Sequence, residues 1–241
     1  MKSKIIIAAL LLAASAACGQ KKAYVDIHAG MAIAKTKTTE SGMAGENYVT
    51  GGDRKQHYGL AAGIGLAFPI SEILRCKTGL DVKVKGVEES AKTQIGDCYG
   101  STSPVYMQIP ALLSVGTDIG KNVRIEANGG FYIAYGIGGK FDLSVEKSGK
   151  RKEIISIDCF GDKGMLSNGY GGWSGDLGLN RFDFGGILGA DVILFDRIMV
   201  GAAYEWGFVN ICNTDVWQKK FNTVGAEAKN RCWSVTAGYI F

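Results

Sequence analysis

The stretch LRCKTGLDVKV at residues 74–84 alternates strictly between two kinds of side chain. One set is mostly apolar and the other mostly charged: Leu74, Cys76, Thr78, Leu80, Val82 and Val84 against Arg75, Lys77, Gly79, Asp81 and Lys83. Because successive side chains of a β-strand point to opposite faces, this period of two predicts a strand with one apolar face and one charged face.

The same period returns along the rest of the chain in segments of similar length. They predict strands at residues 23–34, 57–68, 73–85, 105–116, 123–136, 181–194, 197–211 and 230–241. The predicted connections alternate in length: 69–72, 117–122 and 195–196 are short, and 35–56, 86–104, 137–180 and 212–229 are long. Outer-membrane barrels combine an even number of strands with short periplasmic turns and long extracellular loops. The predicted fold is therefore all-β: one eight-stranded antiparallel up-and-down transmembrane β-barrel over residues 20–241.

The first residues predict a secretory signal peptide at residues 1–19. Lys2 and Lys4 precede an apolar run at residues 5–14 and small residues at 15–19. Cleavage before Cys18 would leave that cysteine for lipid attachment, and the sequence leaves this alternative open. We expect an exported protein of a Gram-negative outer membrane, with membrane lipid and the barrel-insertion machinery as partners. The net charge of +4 is too small to indicate nucleic acid as a partner.

A soluble β-sandwich would also alternate, but the aromatic residues favour the membrane barrel. Two groups lie at opposite ends of the predicted strands: Tyr58, Tyr135, Phe182, Phe184, Trp206, Phe208 and Trp233 toward the long loops, and Phe68, Tyr239 and Phe241 toward the short turns. Aromatic girdles at both interfaces are typical of outer-membrane barrels. The alternating set Trp233, Val235, Ala237, Tyr239 and Phe241 is also expected to serve as a C-terminal insertion signal.

The predicted inner face carries charges of both signs in near balance. They are Asp26, His28, Arg75, Lys77, Asp81, Lys83, Arg124, Glu126, Asp183, Asp191 and Glu205. An eight-stranded barrel is about wide enough to be filled by side chains, so we expect these groups to pair and close the lumen. Small residues at Gly59, Ala61, Gly63, Gly65 and Ala67 are expected to leave volume for the long Arg and Lys side chains of the next strand. A small-ion conduit or a ligand cavity is the alternative.

Several strings resemble the PorT-like outer-membrane β-barrel proteins of Bacteroidota. They are YMQIPALL at residues 106–113, NRFDFG at 180–185, YEWGFVNI at 204–211 and NRCWSVTAGYIF at 230–241. The resemblance implies a transmembrane barrel. A proline within the fourth predicted strand, here Pro110, is a common feature of that family. The family is functionally broad and includes a protein of a secretion system, so the resemblance supports the fold more than the function.

The cysteines leave several pairings open, because an exported protein can form disulfides. We predict a bridge between Cys212 and Cys232, which would join the loop-side ends of neighbouring strands, with free thiols as the alternative. A second bridge between Cys98 and Cys159 is left open. Cys76 is expected to face lipid as a small apolar residue.

Motifs for catalysis and metal binding are missing from the sequence. There are two histidines, His28 and His57, and no GxSxG, HExxH, CxxC pair or phosphate-binding glycine motif. We therefore expect no catalytic residues, metal or cofactor. The predicted function is a non-enzymatic outer-membrane barrel whose long loops have structural, adhesive or partner-binding roles. A transport or secretion component and a lipid-modifying enzyme are the two alternatives.

The predicted loop at residues 137–180 is glycine-rich, with Tyr170 and Trp173 among its glycines. A loop of this length is usually functional or disordered. A contact site for protein or sugar and a mobile cover over the barrel mouth are both compatible with its composition.

Overall fold

The computed structural model describes residues 23–39, 53–93, 96–147, 149–161, 165–167, 173–215 and 227–241. The predicted signal peptide, Cys18 and Tyr170 lie outside these ranges. Almost all described residues are in strands, which confirms the all-β prediction. The strands are β1 (Tyr24–Thr39), β2 (Asp53–Pro69), β3 (Leu74–Val84), β4 (Val87–Thr93), β5 (Gly96–Ile119), β6 (Val123–Lys147), β7 (Lys150–Phe160), β8 (Met165–Ser167), β9 (Trp173–Leu179), β10 (Phe182–Leu194), β11 (Ile198–Gly207) and β12 (Glu227–Ile240). None of the described segments forms a helix long and apolar enough to cross a membrane.

Eight of these strands pair antiparallel in a circuit that returns to its start. The order is β1, β2, β3, β5, β6, β10, β11 and β12, and β12 pairs with β1 from Asp26↔Ile240 to Thr39↔Glu227. These eight strands correspond to the eight predicted from the sequence. The closed circuit leaves an inner face and an outer face, and the alternation of side chains decides which residue lies on which.

The turns at one end of the circuit are short. β10 and β11 are joined by Phe195, Asp196 and Arg197. The Arg197 amide donates to the Leu194 carbonyl oxygen, and the two residues between them, Phe195 and Asp196, have φ angles of +54° and +55°. Positive φ at both central residues is the geometry of a type I′ hairpin turn, whose twist matches that of the flanking strands. Gly120, with φ of +69°, turns the chain between β5 and β6. We call this end, where β1 starts and β12 ends, the turn end.

The opposite end, the loop end, extends well beyond the circuit as further β-structure. The sequence predicted loops at residues 86–104 and 137–180, and both predictions were wrong in part. β5 and β6 continue as a long hairpin to the pair Asp97↔Glu146, β4 pairs with β5, and β7 pairs with β6. Composition alone did not reveal these strands, because polar, glycine-containing segments form strands once neighbouring strands satisfy their backbone groups.

Pro110 lies inside β5, where a proline removes one backbone donor. It pairs with Tyr132 on β6, but the β3–β5 ladder is interrupted between Thr78↔Ala111 and Asp81↔Gln108, with the same register on both sides of the gap. The Thr78 hydroxyl donates to the Pro110 carbonyl oxygen at 2.7 Å. A side-chain hydrogen bond therefore joins the two strands where the backbone ladder is interrupted.

Candidate functional site

The outer face of the eight-stranded circuit is apolar over a continuous band. The outward positions within residues 25–33, 58–68, 74–84, 105–117, 123–137, 182–194, 198–208 and 233–241 include no Asp, Glu, Lys or Arg. Large apolar side chains on this face are roughly half exposed, as with Leu60 at 74% and Leu188 at 58%. Exposed polar residues return just beyond the band: Lys35, Gln56 and Lys140 at the loop end, and Glu72, Lys121 and Asp196 at the turn end.

The height of this band can be obtained from β11 and the residue that follows it. Along this segment Ile198 and Phe208 are the outermost apolar residues of the band, and they lie ten positions apart. At about 3.3 Å per residue and a strand tilt of about 40°, this separation corresponds to roughly 25 Å along the axis of the circuit. A membrane barrel presents an apolar band of about 25 Å.

Aromatic rings contact one another on this outer face near both ends. At the loop end Tyr204 and Trp233 have ring centroids 4.8 Å apart, and Phe184 lies 5.6 Å from Phe208. At the turn end the Tyr239 and Phe241 rings are 5.0 Å apart. The five residues predicted as an insertion signal, from Trp233 to Phe241, all face outward and are exposed.

The inner face holds charged side chains that contact one another, and the first group surrounds Glu126. Arg75 Nη1 donates to Glu126 Oε1 at 2.6 Å, and Lys77 Nζ lies 2.6 Å from Oε2. Lys77 also lies 2.7 Å from Asp191 Oδ2, on the far wall. Glu126 is fully buried, so these cations replace the water that its carboxylate would otherwise require.

Arg124 extends this group toward the turn end. Its Nε lies 2.5 Å from Glu126 Oε1, and its Nη1 donates to Asp118 at 2.9 Å. Its Nη2 donates to the Glu72 carbonyl oxygen at 3.2 Å, in the turn between β2 and β3. One guanidinium thus ties the interior to two turn-end segments.

A second group lies at mid-height around His28. Its Nδ1 is 2.7 Å from Asp26 Oδ1 and its Nε2 is 3.2 Å from Asp81 Oδ1. Only a doubly protonated imidazole ring can donate to both carboxylates. The small residues of β2 make room for this group: a Cβ on Gly63 would lie 2.3 Å from Asp81 Oδ1, and one on Gly65 would lie 2.2 Å from Asp26 Oδ2. At these two positions carboxylates of the neighbouring strands occupy the space that the sequence analysis assigned to Arg and Lys side chains.

The third group lies toward the loop end around Glu205. Lys83 Nζ is 2.5 Å from Glu205 Oε1, and Lys85 Nζ is 2.9 Å from Oε2. The Gln108 side-chain amide donates to Glu205 at 2.9 Å and accepts from Lys85 at 2.9 Å. Lys85 is fully buried, and its Nζ also lies 3.7 Å from Asp183 Oδ2.

Two buried tyrosines lie beside Lys85. Its Nζ is 4.2 Å from the Tyr132 ring centroid and 5.7 Å from that of Tyr106, which are cation–π distances. The Tyr132 hydroxyl donates to Asp183 Oδ2 at 3.0 Å, and the Asn230 amide donates to the same oxygen at 2.9 Å. These contacts join β6, β10 and β12 to Lys85, the residue that follows β3, across the interior.

An apolar layer covers this third group at the loop end. Phe160, the last residue of β7, lies edge-on against Tyr106 with ring centroids 5.5 Å apart, and a Cβ on Gly136 would lie 2.2 Å from its ring. Cys159, Leu177, Leu179, Ile211 and Cys212 are buried in the same cluster. Part of the segment for which the sequence left open a contact site or a mobile cover is therefore packed core.

The described residues that line the interior leave some space unfilled. A cavity of about 120 Å³ at mid-height is bordered by His28, Lys77, Asp191 and Ser234. A larger one of about 560 Å³ opens at the turn end between Tyr24, Arg75, Arg124 and Ile240. The charged groups around Glu205 and the layer above them separate both cavities from the loop end.

The structure places all eleven predicted interior residues on the inner face and brings each into contact with another polar group. It also adds residues that the sequence analysis did not select: Lys85, Gln108, Ser114, Asn128, Tyr106, Tyr132 and Asn230. Lys85 continues the inward alternation of Lys83, so the period itself was the signal for it. The predicted set with Lys85 comprises five Lys or Arg residues, one His and six carboxylates.

The predicted bridge between Cys212 and Cys232 is wrong, since both cysteines are free in this structure. The Ile211 amide donates to the carbonyl oxygen of Ala228, and Cys232 lies four residues farther along β12. Four residues of strand extend about 13 Å, whereas a disulfide requires Cα atoms within about 7 Å. The Cys232 thiol instead donates to the Trp233 carbonyl oxygen at 3.3 Å.

The open pairing of Cys98 with Cys159 also finds no support in the register. Cys98 pairs with Val145, and Val145 pairs with Lys152, seven residues before Cys159. Burial raises the pKa of the Cys159 thiol to about 12 and that of the Cys212 thiol to about 11, so both favour the protonated thiol. Cys76 lies exposed on the outer face.

His57, the second histidine, lies at the loop end of β2. Its Nδ1 is 3.4 Å from Glu88 Oε1. Its ring also borders Gly86, where a Cβ would lie 3.1 Å from His57 Cδ2. In the part of the chain that the structure describes, no three His, Cys, Asp or Glu side chains are grouped as metal ligands would be.

Comparisons with known proteins identify one family for this chain. A family model described as "Outer membrane protein beta-barrel domain" matches residues 18–213. No curated protein matches the chain.

Solved structures of outer-membrane proteins are similar over most of the chain. The crystal structure of Neisserial surface protein A (NspA) has 12% identity and a TM-score of 0.37, covering 91% of this chain and 97% of the other. The crystal structure of Ail of Yersinia pestis in complex with the heparin analogue sucrose octasulfate has 13% identity and a TM-score of 0.36, and the match covers 92% of this chain and 100% of the other. The crystal structure of OprG of Pseudomonas aeruginosa has 12% identity and a TM-score of 0.45, and the match covers 92% of this chain and 98% of the other. Because these TM-scores are below 0.5, the function proposed below depends on the family match and on the residues themselves.

Proposed function

Since this chain belongs to the outer membrane protein beta-barrel domain family, we propose that its eight-stranded circuit spans the outer membrane as a closed, non-enzymatic barrel. In this proposal the barrel anchors the extended β-structure of the loop end outside the cell, where it has a structural or partner-binding role. The turn end faces the periplasm, as short turns do in such barrels.

The uncharged outer band is the observation that carries the spanning proposal. In water, an exposed face of this size would be an aggregation hazard, because soluble monomers seldom expose apolar patches larger than a few hundred Å². In hydrocarbon the same face is favoured, and the closed circuit pairs the backbone groups of neighbouring strands, which lipid cannot do. The aromatic contacts at both edges fit the two interfaces of a bilayer.

The interior contacts support a barrel without an open pore. Any ion path from the loop end would have to pass the layer of Phe160, Tyr106 and Tyr132, and then the group of Lys83, Lys85 and Glu205. A path for water or ions would require these fully buried groups to separate. We therefore favour an anchoring role over the transport alternative.

The spanning and its direction can be tested together by cysteine labelling of intact cells. Glu153 is exposed on β7 at the loop end and Lys121 is exposed in the turn between β5 and β6. A membrane-impermeant maleimide should label E153C on intact cells and K121C only after the outer membrane is permeabilised, with the wild-type chain as the background control. Equal labelling of both variants on intact cells would contradict the proposal.

The closed interior can be tested in planar bilayers. The purified, folded protein should insert without steady conductance steps, while a porin assayed in parallel gives them. Reproducible steps from the wild-type protein would instead support the transport alternative, including the secretion role that the PorT-like resemblance implies.

A further inference from the structure

Four cations lie side by side on the outer face of β1 and β12, immediately beyond the apolar band at the loop end. They are Lys35, Lys37, Lys229 and Arg231, which we call the cationic rim. In the strand register Lys35 pairs with Arg231, and Lys37 pairs with Lys229. Each cation therefore faces another cation directly across the two strands.

The alternation of the strands fixes the outward direction of these side chains. Ala34 and Asn230, the neighbours of Lys35 and Arg231, are 1% and 3% exposed on the inner side. Lys35 and Lys37 are exposed, while Lys229 and Arg231 are partly exposed. All four cations therefore lie on the surface that continues the apolar band.

The charge of the cationic rim is only partly compensated within the described chain. Glu227 lies 2.6 Å from Lys229, and no other ion pair to the four cations occurs among the described residues. Like charges directly opposite each other on neighbouring strands destabilise a sheet. An anion bound between the strands would remove this repulsion.

The depth of the cationic rim is set by its aromatic neighbours. Arg231 Nη1 lies 3.5 Å from the Tyr204 hydroxyl oxygen, and the Tyr204 ring packs against Trp233. One step below on β1, Ile33 pairs with Trp233 on one side and Tyr58 on the other. Tyr and Trp mark the headgroup level of a bilayer, so the four cations lie at or just above the lipid headgroups.

We propose that the cationic rim binds the phosphate groups of a phosphorylated lipid headgroup in the outer leaflet. This inference rests on the spanning barrel proposed above. Arg231 supplies a planar fork of donors that matches phosphate, and the three lysines supply mobile ammonium groups around it. A phosphate monoester carries a charge of about −1.5 to −2 at neutral pH, so one such group offsets at least half of the net charge of three that the rim and Glu227 leave among the described residues.

The other cation-rich segment of the loop end does not fit such a ligand. Lys150, Arg151 and Lys152 are exposed near the tip of the β6–β7 hairpin. In register they pair with residues 145–147, eight or more positions beyond Ile137, the last outward apolar residue of β6. At about 3.3 Å per residue they lie at least about 20 Å farther along the strand than the headgroup level. These three residues therefore provide a matched control.

Lipid binding can be measured by native mass spectrometry of the full-length protein released from a neutral detergent. The probes are a bis-phosphorylated lipid A and phosphatidylcholine, each titrated separately. We expect the wild-type protein to retain lipid A with at least tenfold higher affinity than phosphatidylcholine. The variant K35Q/K37Q/K229Q/R231Q should lose at least tenfold of the lipid A affinity, and the control K150Q/R151Q/K152Q should change it less than twofold.

Two results would overturn the proposal. One is unchanged lipid A affinity in the quadruple variant. The other is displacement of bound lipid A by inorganic phosphate at an equal concentration, which would show a site for the free anion. A gel assay of heat-modifiable mobility after insertion into phosphatidylcholine vesicles separates the two proposals: a wild-type protein that fails to insert contradicts the spanning barrel, whereas one that inserts without preferring lipid A contradicts only the cationic rim.

Discussion

Lys85 and Glu205 form an ion pair that is buried in the interior, away from solvent. Lys85 Nζ lies 2.9 Å from Glu205 Oε2, and the two residues are 0% and 1% exposed. Each charge depends on the other because burying a single ion costs far more than burying a well-paired one. Lys83 contacts the same carboxylate. Two buried cations therefore depend on Glu205 for their compensating charge.

Replacing this carboxylate should destabilise the protein strongly. E205Q keeps the shape but leaves Lys83 and Lys85 with more distant partners, Asp81 at 3.5 Å and Asp183 at 3.7 Å. We expect the free energy of unfolding in urea, measured in phosphatidylcholine vesicles, to fall by about 3–5 kcal/mol. The exposed control E153Q should change it by less than about 0.5 kcal/mol. The double variant E205Q/K83M should be more stable than E205Q, because it removes one of the two buried cations that lost their nearest carboxylate.

A charge placed on the apolar band should hinder insertion. Leu188 lies halfway along the outward positions of β10 and is 58% exposed. L188K should make folding into vesicles less favourable by about 2–4 kcal/mol, the cost of a lysine at the bilayer midplane. Ile154, 41% exposed on β7 beyond the band, gives the control I154K, which should fold almost as the wild type does. Equal effects at both positions would show that lipid does not cover Leu188.

A methyl group at Gly65 should be costly because the interior has no space for it. A Cβ there would lie 2.2 Å from Asp26 Oδ2 and 2.8 Å from its Cγ, and the Asp26 carboxylate is already held by His28. We expect G65A to lower the free energy of unfolding by about 1–3 kcal/mol in urea titrations. At Gly138 no atom lies within 4 Å of the added Cβ, so G138A should leave that free energy within about 1 kcal/mol of the wild-type value.

The thiols of Cys159 and Cys212 should react slowly while the protein is folded. Burial raises the pKa of the Cys212 thiol to about 11, so only about one thiol in a thousand is the reactive thiolate at pH 8. In a variant that retains Cys212 as its single cysteine, alkylation should accelerate about tenfold per pH unit between pH 8 and pH 10. The wild-type protein purified without reductant and then unfolded should alkylate to the same mass with and without prior reduction. A mass difference corresponding to one disulfide would contradict the free thiols of the structure.

Much of the candidate site follows from the alternation of side chains. On β3, the period of two placed Arg75, Lys77, Asp81 and Lys83 on the face opposite Leu80 and Val82, and the structure has them so. The alternation predicts the facing correctly because each side chain of a strand points to one of only two faces, and because the same rule holds for every paired strand of the circuit.

The partners of those side chains did not follow from the alternation. Lys77 contacts Asp191, 114 residues away in sequence, and Lys83 contacts Glu205, 122 residues away. These contacts depend on how far each strand is staggered against the next around the circuit, which no local pattern encodes. The Cys212–Cys232 prediction failed for the same reason, since their distance depends on the path of the chain after β11.

The sequence by itself determined that the chain forms strands, which side chains point inward, and that the outer band is free of charge, because these properties need only the local geometry of a β-strand. Only the tertiary structure decided which charges meet, that β5, β6 and β7 continue beyond the band, and that Phe160 covers the interior. Backbone pairing and side-chain volume act between segments far apart in the chain, so they take effect only when the circuit closes.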